Sequence, residues 1–384
     1  MSRDRGGLAV PVELFGGRLK LPPISPPGFL VGTGLELRRR LLRLADRILP
    51  PEIAVLDHAA GLAEAAVLGA IVELGVADHI VDAPRSAADL AEVIEGPVDA
   101  ESLHRMLRYA AVFDLVALDA DGCFHATPFT RVLDSRAADS IAPWCRYFVS
   151  KSNVAAWADL AATVRTGESA FRRVHGASVW DYFDAHPDEG RTFAAAMRHL
   201  TEGVAPSVAD ACPFDGAGTV CDVAGGSGAL LAAFLSRHPS SRGVLVEAAL
   251  VLEVADRYLG EAGVRDRVTF VEGDIFGGFA AEAGLYLMKD ILHDWDDAAC
   301  ARILANTRAA MPPGARLVLV ENVIEPNDID HFVTFADMQM MVALDEGRQR
   351  SVAELQSLLC EAGFEPGPVR KTATVVHLVE GIAV

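Results

Sequence analysis

Positive charge is scarce in this chain of 384 residues, which carries 34 lysines and arginines against 53 aspartates and glutamates, for a net charge of −19. Nucleic-acid binding needs a basic face that releases counterions from the phosphate backbone, and anionic membrane surfaces attract basic segments. We therefore expect this acidic chain to bind neither nucleic acid nor an anionic membrane surface.

Paired cysteines and long uncharged apolar runs are missing as well. The six cysteines are scattered, without a CxxC pair or histidines at zinc-ligand spacing, so they predict reduced thiols, no metal site and a cytoplasmic protein. No run of about 20 apolar residues is free of charges, and residues 1–17 contain several charges but no apolar segment of signal-peptide length. We expect neither a membrane span nor a secretory signal.

The length predicts two or three domains, and the texture of the sequence changes twice. Residues 1–50 combine an arm containing Pro22, Pro23, Pro26 and Pro27 with an amphipathic helix at 35–49, which we expect to pack on the body or on a partner subunit. Residues 51–213 have an almost wholly helical pattern. Residues 214–384 alternate strands with helices, which is typical of a parallel sheet covered by helices.

The helical region contains a small winged-helix-like unit. Its expected elements are a helix at 53–74 ended by Gly75, a helix capped by Ser86 and Asp89, a helix at 102–113, and a hairpin of 115–118 with 123–126. Such units often bind DNA, so a DNA-binding regulator is one alternative for the function. The acidic charge disfavours it.

A glycine-rich loop between two predicted strands organises the remainder of the chain. Gly225, Gly226 and Gly228 lie between a strand at 219–223 and a helix, where a ligand could approach the backbone and the helix N-terminus. Glu247, at the end of the next strand, lies where such folds place an acid that accepts hydrogen bonds from ribose. These features predict a nucleoside site, although similar turns also occur as plain structure.

The type of nucleoside follows from what surrounds the loop. A dinucleotide fingerprint needs a third glycine where this chain has Leu231, and an acid such as Asp222 before the glycines does not suit a pyrophosphate. S-adenosylmethionine has no phosphate and carries an ammonium and a sulfonium group, so an acidic loop suits it better. The loop resembles the D-x-G-x-G-x-G motif of class I methyltransferases, with Ala224 in place of the first glycine.

A second group of polar residues follows the predicted strand at 283–289. His293 lies after this strand, on the rim that also carries the glycine loop, and Glu321 ends the next strand. A histidine held in one tautomer by an acid can act as a general base toward a hydroxyl group. The simpler interpretation, in which this segment only caps the helix at 298–311, accounts for Asp296 and Asp297 and leaves His293 unexplained.

Together these motifs resemble the small-molecule O-methyltransferase family typified by caffeic acid and acetylserotonin O-methyltransferases, from about residue 57 to the C-terminus. The L-H-D-W-x-D signature at 292–297 follows D-x-G-x-G-x-G, G-D-x-F at 273–276 and M-K at 288–289 in the order that the family has. The resemblance implies an α/β fold, with a Rossmann-like class I methyltransferase domain at 214–384 and a mainly helical, winged-helix-like dimerisation and lid domain at 51–213. It also implies a homodimer, S-adenosyl-L-methionine as cofactor, S-adenosyl-L-homocysteine as product, and a hydrophobic hydroxylated acceptor.

The resemblance also carries roles onto individual residues. Its catalytic candidates are His293 as base, Glu321 as acidic partner and the position of Gln349. Its cofactor candidates are Asp222, Gly225, Gly226, Gly228, Glu247, Asp274, Ile275 and Lys289. Its acceptor-binding candidates are Trp157, Met197, Asp294, Asp337, Met338 and Met341, and core packing is an open alternative for the methionines.

Two departures from the family pattern bear on the chemistry. Gln349 stands where the family has a second acid, and it can hydrogen-bond an imidazole but cannot stabilise its charged form as a carboxylate would. Glu247 is followed by Ala248 and Ala249 in place of the usual D-L-P context. The first departure keeps open an alternative function, in which the same fold and cofactor serve hydroxylation, decarboxylation or a pericyclic reaction.

Overall fold

The computed structural model describes residues 28–384 except residues 138, 215, 217 and 330. The predicted arm with Pro22, Pro23, Pro26 and Pro27 lies outside the described residues. The amphipathic helix predicted after it is present and spans Gly28–Ile48 (α1).

The first half of the described chain is helical. After α1 its helices are α2 (Pro51–Glu73), α3 (Val76–Ile80), α4 (Ala87–Val93), α5 (Ala100–Ala110), α6 (Pro128–Arg131), α7 (Ala142–Phe148), α8 (Lys151–Ala158), α9 (Leu160–Thr166), α10 (Ala170–His175), α11 (Val179–Ala185) and α12 (Pro187–Ala211). Three short strands, β1 (Arg85–Ser86), β2 (Ala117–Leu118) and β3 (Cys123–His125), form an antiparallel sheet in the order β1-β3-β2.

The local signals in this half act as the sequence predicts. Gly75 adopts φ 62°, a left-handed conformation, just after α2. Ser86 and Asp89 cap α4 reciprocally, since each side chain accepts a hydrogen bond from the backbone N–H of the other residue. The hairpin of β2 and β3 is confirmed. Strand β1 is not predicted because two residues are too few to show a periodicity.

Helix α2 leaves much of its apolar surface uncovered. By length and composition alone it could cross a membrane, with a mean hydropathy of 1.6 over an 18-residue window of which 11% is buried. Val55, Leu56 and Leu62 are each about two-thirds exposed. Core helices of soluble proteins can have the same length and apolar composition, so these two properties are weak evidence for a membrane span. It does show that α2 presents an exposed apolar surface.

The second half alternates strands and helices as expected. Its elements are β4 (Thr219–Val223), α13 (Ala229–Arg237), β5 (Arg242–Glu247), α14 (Ala249–Glu261), β6 (Val268–Glu272), β7 (Leu285–Lys289), α15 (Asp297–Ala310), β8 (Arg316–Asn322), α16 (His331–Ala343), α17 (Val352–Glu361), β9 (Phe364–Lys371) and β10 (Val376–Ala383). Short 3-10 turns occupy Ala111–Phe113, Arg265–Arg267 and Leu292–Asp294.

One seven-stranded sheet in the order β6-β5-β4-β7-β8-β10-β9 runs through this half. The first five strands are parallel, and β10 is antiparallel to both of its neighbours. This is the mostly parallel, Rossmann-like α/β sheet that the sequence predicts. Strand β9 is missed because Pro366, Gly367 and Pro368 are typical of a turn, and an edge strand tolerates them.

Apolar residues cover both faces of the sheet. Successive strand residues point to opposite faces, so Tyr286 packs with the cluster that contains residues of α15 and α17, whereas Leu287 packs with the cluster that contains residues of α12 and α13. Polar residues lie at or near the carboxyl ends of the strands. Because parallel strands end at one edge, the side chains that end β4, β5, β7 and β8 share that edge.

Candidate functional site

The glycine loop follows β4 at this edge, and its shape depends on its small residues. A Cβ at Gly225 would lie 2.4 Å from the Asp222 carboxyl carbon and 2.7 Å from Leu245. Gly226 and Gly228 have positive φ angles, and so does Ala224, at 54°. The left-handed conformation at Ala224 is one that glycine adopts freely and alanine adopts at a cost, which explains why the family motif has a glycine at this position.

Asp222 is a buried carboxylate with no counter-charge bound to it. It is 1% exposed, and neither of its side-chain oxygens has a hydrogen-bond partner in the described part of the protein. Burial, with a contribution from the nearby charge of Glu247, raises the pKa of Asp222 to about 7. A buried acid left in this condition fits a cationic ligand, such as the ammonium or sulfonium group of S-adenosylmethionine.

Glu247 ends β5 and is linked to the same loop. Its Oε1 accepts a hydrogen bond from the N–H of Gly226 at 3.0 Å, and its Oε2 accepts from the N–H of Ala248 at 2.8 Å. Burial raises the pKa of Glu247 above its usual range. The carboxylate is therefore held beside the glycine loop with lone pairs free for hydroxyl donors.

The segment after β6 forms a second wall of this region. Asp274 accepts a hydrogen bond from the N–H of Phe276 at 2.9 Å. The Asn306 side chain donates to the carbonyl oxygens of Ile275 (3.0 Å) and Phe276 (2.8 Å), which fixes the loop from α15. The ring of Trp295 meets Phe276 edge to face at 4.8 Å, so the loop carrying His293 packs against this wall.

His293 lies in the 3-10 turn directly after β7, and Glu321 reaches it from β8. The Nδ1 atom of His293 lies 3.0 Å from Glu321 Oε2. The other oxygen of Glu321 accepts from the N–H groups of Ile291 and Leu292 at 3.2 and 3.0 Å. This fixed carboxylate favours the proton on Nδ1, which leaves Nε2 as the basic nitrogen.

Three carboxylates surround the imidazole. Asp294 lies 3.4 Å from Nε2, and Asp290 lies 3.9 Å from Nδ1 on the same side as Glu321. Burial disfavours the charged imidazole and by itself would lower the pKa of His293. The effect of burial is outweighed by the charges of the three carboxylates and by the hydrogen bond to Glu321, so the pKa of His293 is raised to about 10. Burial raises the pKa of Asp294 to about 7.

The segment after α16 packs against the turn that carries His293. The N–H of Arg348 donates to the His293 carbonyl oxygen at 2.9 Å, and the N–H of Gln349 donates to Asp337 at 2.9 Å. Gln349 is buried, and its Oε1 has no hydrogen-bond partner among residues 28–384 as described. Among the described residues this amide makes no hydrogen bond to the imidazole, and the Nδ1 atom of His293 is paired with Glu321 instead.

Arg350 holds the same turn on both sides of His293. Its buried guanidinium donates to the carbonyl oxygens of Leu292 at 2.5 Å and Trp295 at 2.7 Å, and it pairs with Asp297 at 2.7 Å. Arg350 is not among the residues that the sequence predicts for the site. Its place one residue after Gln349, in the segment that already resembled the family, was the available signal.

Aromatic rings of α7, α8 and α16 form a cluster. Trp144 stacks on Phe148 with ring centroids 5.1 Å apart, and Trp157 lies parallel to Phe335 at 6.2 Å. Phe148 meets Phe335 edge to face at 5.1 Å, which joins the two pairs. We call these four residues the aromatic cluster. Of its members, only Trp157 is among the predicted acceptor-binding residues.

Polar side chains contact the aromatic cluster. Gln339 accepts a hydrogen bond from the indole N–H of Trp157 at 2.8 Å and donates to Asn153 at 2.9 Å. Tyr147 precedes Phe148 on α7, and its ring meets Phe193 edge to face at 5.2 Å; burial and the charge of Asp294 raise the pKa of its hydroxyl. Tyr147, Asn153 and Gln339 are not predicted individually from the sequence, although Gln339 lies between the predicted Met338 and Met341 on α16.

The other predicted residues lie on neighbouring elements. Lys289 ends β7 and pairs with Asp290. Met338 and Met341 are half-buried on α16, where Asp337 also lies, and Met197 is half-buried on α12. No contact decides the role of the methionines, which stays a prediction.

The side-chain atoms of Asp290, His293 and Glu321 lie within 4.8 Å of one another, close enough to hold a metal ion. Glu321, however, already accepts three hydrogen bonds, two from backbone N–H groups and one from the imidazole. These contacts explain the cluster as a hydrogen-bonded histidine, and we do not assign it as a metal centre.

Two family models match this chain. Residues 157–365 match an O-methyltransferase domain, and residues 56–135 match an O-methyltransferase dimerisation domain. The first match covers more than half of the chain.

Curated relatives and solved structures agree with these matches. A 3-amino-4-hydroxybenzoate 4-O-methyltransferase of Streptomyces cremeus is 38% identical over 80% of this chain and 83% of its own length. A phenazine O-methyltransferase of Lysobacter antibioticus is 35% identical over 80% of this chain and 89% of its own length. An O-methyltransferase of neocarzinostatin biosynthesis, solved with S-adenosylmethionine and 2-hydroxy-5-methyl naphthoic acid, superposes with a TM-score of 0.71 at 29% identity and covers 84% of this chain and 96% of its own.

Proposed function

This chain belongs to the S-adenosylmethionine-dependent O-methyltransferases of secondary metabolism, and from that premise we propose that it methylates a hydroxyl group of a planar aromatic small molecule, with His293 as general base. The observation that carries the proposal is the buried His293–Glu321 pair at the edge of the sheet that also holds the glycine loop. The cofactor supplies an electrophilic methyl group when it is bound, and the steps below concern the residues of the chain.

The cofactor end of the site is assigned to the acids and glycines of the loop. Asp222 receives the cationic part of the cofactor, because its buried oxygens are otherwise unpartnered. Glu247 receives the ribose hydroxyls beside the loop. Asp274 and Ile275 flank the adenine, and Lys289 lies beside the cofactor at the end of β7.

His293 takes the proton of the acceptor through Nε2, while Glu321 fixes the ring and stabilises the charge that forms. The raised pKa makes the neutral imidazole a stronger base toward a phenol, whose pKa is about 10, but a general base works best when its own pKa lies near the operating pH. The same raised pKa keeps free His293 largely protonated at neutral pH. We expect the positive charge of the bound cofactor to lower it, and methyl transfer to rise with pH until the imidazole is neutral.

The aromatic cluster supports a planar acceptor. Trp157 and Phe335 present parallel rings, and Gln339 fixes the indole of Trp157 by a hydrogen bond. Rings held in this way favour flat aromatic ligands over flexible chains. The named acceptors of two relatives, a hydroxybenzoate and a phenazine, are of this kind.

The active species is proposed to be a cytoplasmic homodimer. A second copy would cover the exposed apolar side chains of α2, which lies largely within the segment that matches the dimerisation domain. Its free cysteines suit a reducing compartment. Light scattering should give twice the chain mass, and Leu62→Asp should give a folded monomer. A monomeric wild type would contradict the assignment.

The test of the base is His293→Gln, which keeps a polar side chain of similar size. We expect the rate of methyl transfer to fall by roughly 10²–10⁴-fold on any acceptor that the wild type methylates. Calorimetry should find the affinity for S-adenosylhomocysteine within about threefold of wild type, because His293 is assigned to the acceptor side. An unchanged rate at neutral pH would refute the role of His293.

Because Gln349 is uncharged where the family has an acid, a non-methylating reaction on the same cofactor is a second candidate function. Methyl transfer forms one S-adenosylhomocysteine for each product molecule, whereas a reaction that only uses the bound cofactor electrostatically forms none. Quantifying both molecules by mass spectrometry separates the two functions.

A further inference from the structure

Asp290 follows β7 directly and has an unusual backbone conformation. Its φ is 54°, in the left-handed region that few residues other than glycine and asparagine adopt readily. Its N–H donates to the Val320 carbonyl oxygen at 3.1 Å, so the residue is fixed to the neighbouring strand immediately before Glu321. The conformation turns the chain from the strand into the segment that carries His293.

The two oxygens of Asp290 have different surroundings. Oδ2 pairs with the ammonium group of Lys289. Oδ1 is fully buried and has no hydrogen-bond partner among the described residues, and it lies 3.9 Å from His293 Nδ1. A buried oxygen without a donor is costly unless a positive charge is close to it, and the nearby cationic groups are Lys289 and a protonated His293.

We propose that Asp290 is a positioning residue for the reaction, the second carboxylate beside Nδ1, where it stabilises the protonated form of His293. It would provide from the end of β7 the negative charge that Gln349 cannot provide. The inference rests on the proposed role of His293 as base.

Charge and distance support this role. Burial opposes ionisation of Asp290, but Lys289 and His293 outweigh it and hold the pKa of Asp290 below its usual range, so the group is a carboxylate at neutral pH. A charge about 4 Å away in a buried site has a large effect on a titrating group. The partial neutralisation by Lys289 makes the effect of Asp290 smaller than that of Glu321.

The other charged groups around His293 are already occupied. Glu321 is hydrogen-bonded to Nδ1, and Asp294 faces Nε2, where the acceptor is expected. Arg350 donates to two carbonyl oxygens and pairs with Asp297, and the Arg348 side chain pairs with Glu354. Asp290 is therefore the carboxylate whose removal changes the charge at Nδ1 without removing the hydrogen bond that holds the ring.

The test is an NMR titration of His293 in the full-length protein saturated with S-adenosylhomocysteine. The chain has 11 histidines, and the spectrum of His293→Gln identifies the signal of the ring Cε1. In Asp290→Asn we expect the pKa of His293 to fall by about one unit, the lower end of what a nearby charge produces. Asparagine adopts the left-handed conformation well, so the variant should fold.

A second variant and a control isolate the charge. Asp290→Gly also tolerates φ 54° and should give the same fall, although glycine offers no hydrogen bond. Asp296→Asn removes a charge from the same loop and keeps the helix cap that Asp296 provides to Ala299, so it should leave the pKa of His293 unchanged. An unchanged pKa in both Asp290 variants, or an equal fall in Asp296→Asn, would overturn the inference.

The titration does not depend on turnover, so it separates this inference from the proposed function. If the pKa of His293 depends on Asp290 while His293→Gln still transfers methyl groups at the full rate, the base assignment is wrong and the charge coupling stands. If His293→Gln is inactive and the pKa does not depend on Asp290, the base assignment stands and this inference is wrong.

Discussion

Replacing Asp222 by asparagine should make the ligand-free protein more stable at alkaline pH while weakening cofactor binding. The pKa of Asp222 is about 7 in the folded protein, against an ordinary value of 3.8. The folded state therefore binds a proton that the unfolded state has released, and stability falls as the pH rises from about 4 through 7. Asparagine does not ionise, so Asp222→Asn does not lose this part of its stability as the pH rises.

The magnitude follows from the two pKa values. At 1.36 kcal/mol for each pKa unit, the ionisation of Asp222 costs the folded state roughly 4 kcal/mol at pH 8 and about 1.6 kcal/mol at pH 5. The stability of Asp222→Asn relative to wild type should therefore grow by about 2–3 kcal/mol between these pH values. The cost of burying an amide without partners is independent of pH and cancels in this difference.

Urea unfolding of both proteins at pH 5 and pH 8, without ligand, measures the effect. Asp266→Asn, on an exposed residue, serves as the control and should show no such change with pH. In calorimetry, Asp222→Asn should bind S-adenosylhomocysteine roughly ten- to a hundredfold more weakly, since a charge-assisted hydrogen bond is lost. A relative stability that did not change with pH would refute the raised pKa of Asp222, and an unchanged affinity would refute its assignment to a cation.

Two further substitutions test the scaffold of the site. Gly225→Ala should weaken S-adenosylhomocysteine binding more than about tenfold by calorimetry, because its Cβ would lie 2.4 Å from Asp222, whereas Gly284→Ala, where nothing lies within 4 Å, should bind normally. Arg350→Met should lower the free energy of unfolding by about 2–4 kcal/mol in urea, since it leaves the carbonyl oxygens of Leu292 and Trp295 without their charged donor, while the exposed Asp297 keeps Arg348 as a partner. Stability equal to that of wild type would show that the Leu292–Trp295 turn does not depend on Arg350.

Local structure followed closely from local sequence. The capping box of Ser86 and Asp89, the helix cap at Asp296 and the glycine loop each depend on residues within a few positions of one another, so their patterns are visible in the chain. The period of the apolar residues predicted six of the seven strands of the large sheet. Strand β9 was missed because edge position, which makes its prolines tolerable, is a property of the assembled sheet.

The candidate site, too, was predictable in part from the sequence. The order of motifs along the chain determined the family resemblance and named Asp222, Glu247, His293 and Glu321, because the ends of neighbouring parallel strands must meet at one edge. The sequence could not decide how their charges act on one another. That depends on distances and burial, to which residues far apart in the chain contribute.

The surroundings of His293 illustrate the difference. From the sequence, Gln349 was the expected replacement for the second acidic partner, because it occupies the family's position. In the folded chain Glu321 occupies Nδ1, the Gln349 Oε1 atom has no partner among the described residues, and the buried oxygen of Asp290 lies 3.9 Å from the imidazole. The sequence by itself determined the strand-end residues that share the edge of the sheet. The tertiary structure decided which further residues join them and which side chains face each other, since side-chain direction and burial exist only once the strands, turns and helices have packed.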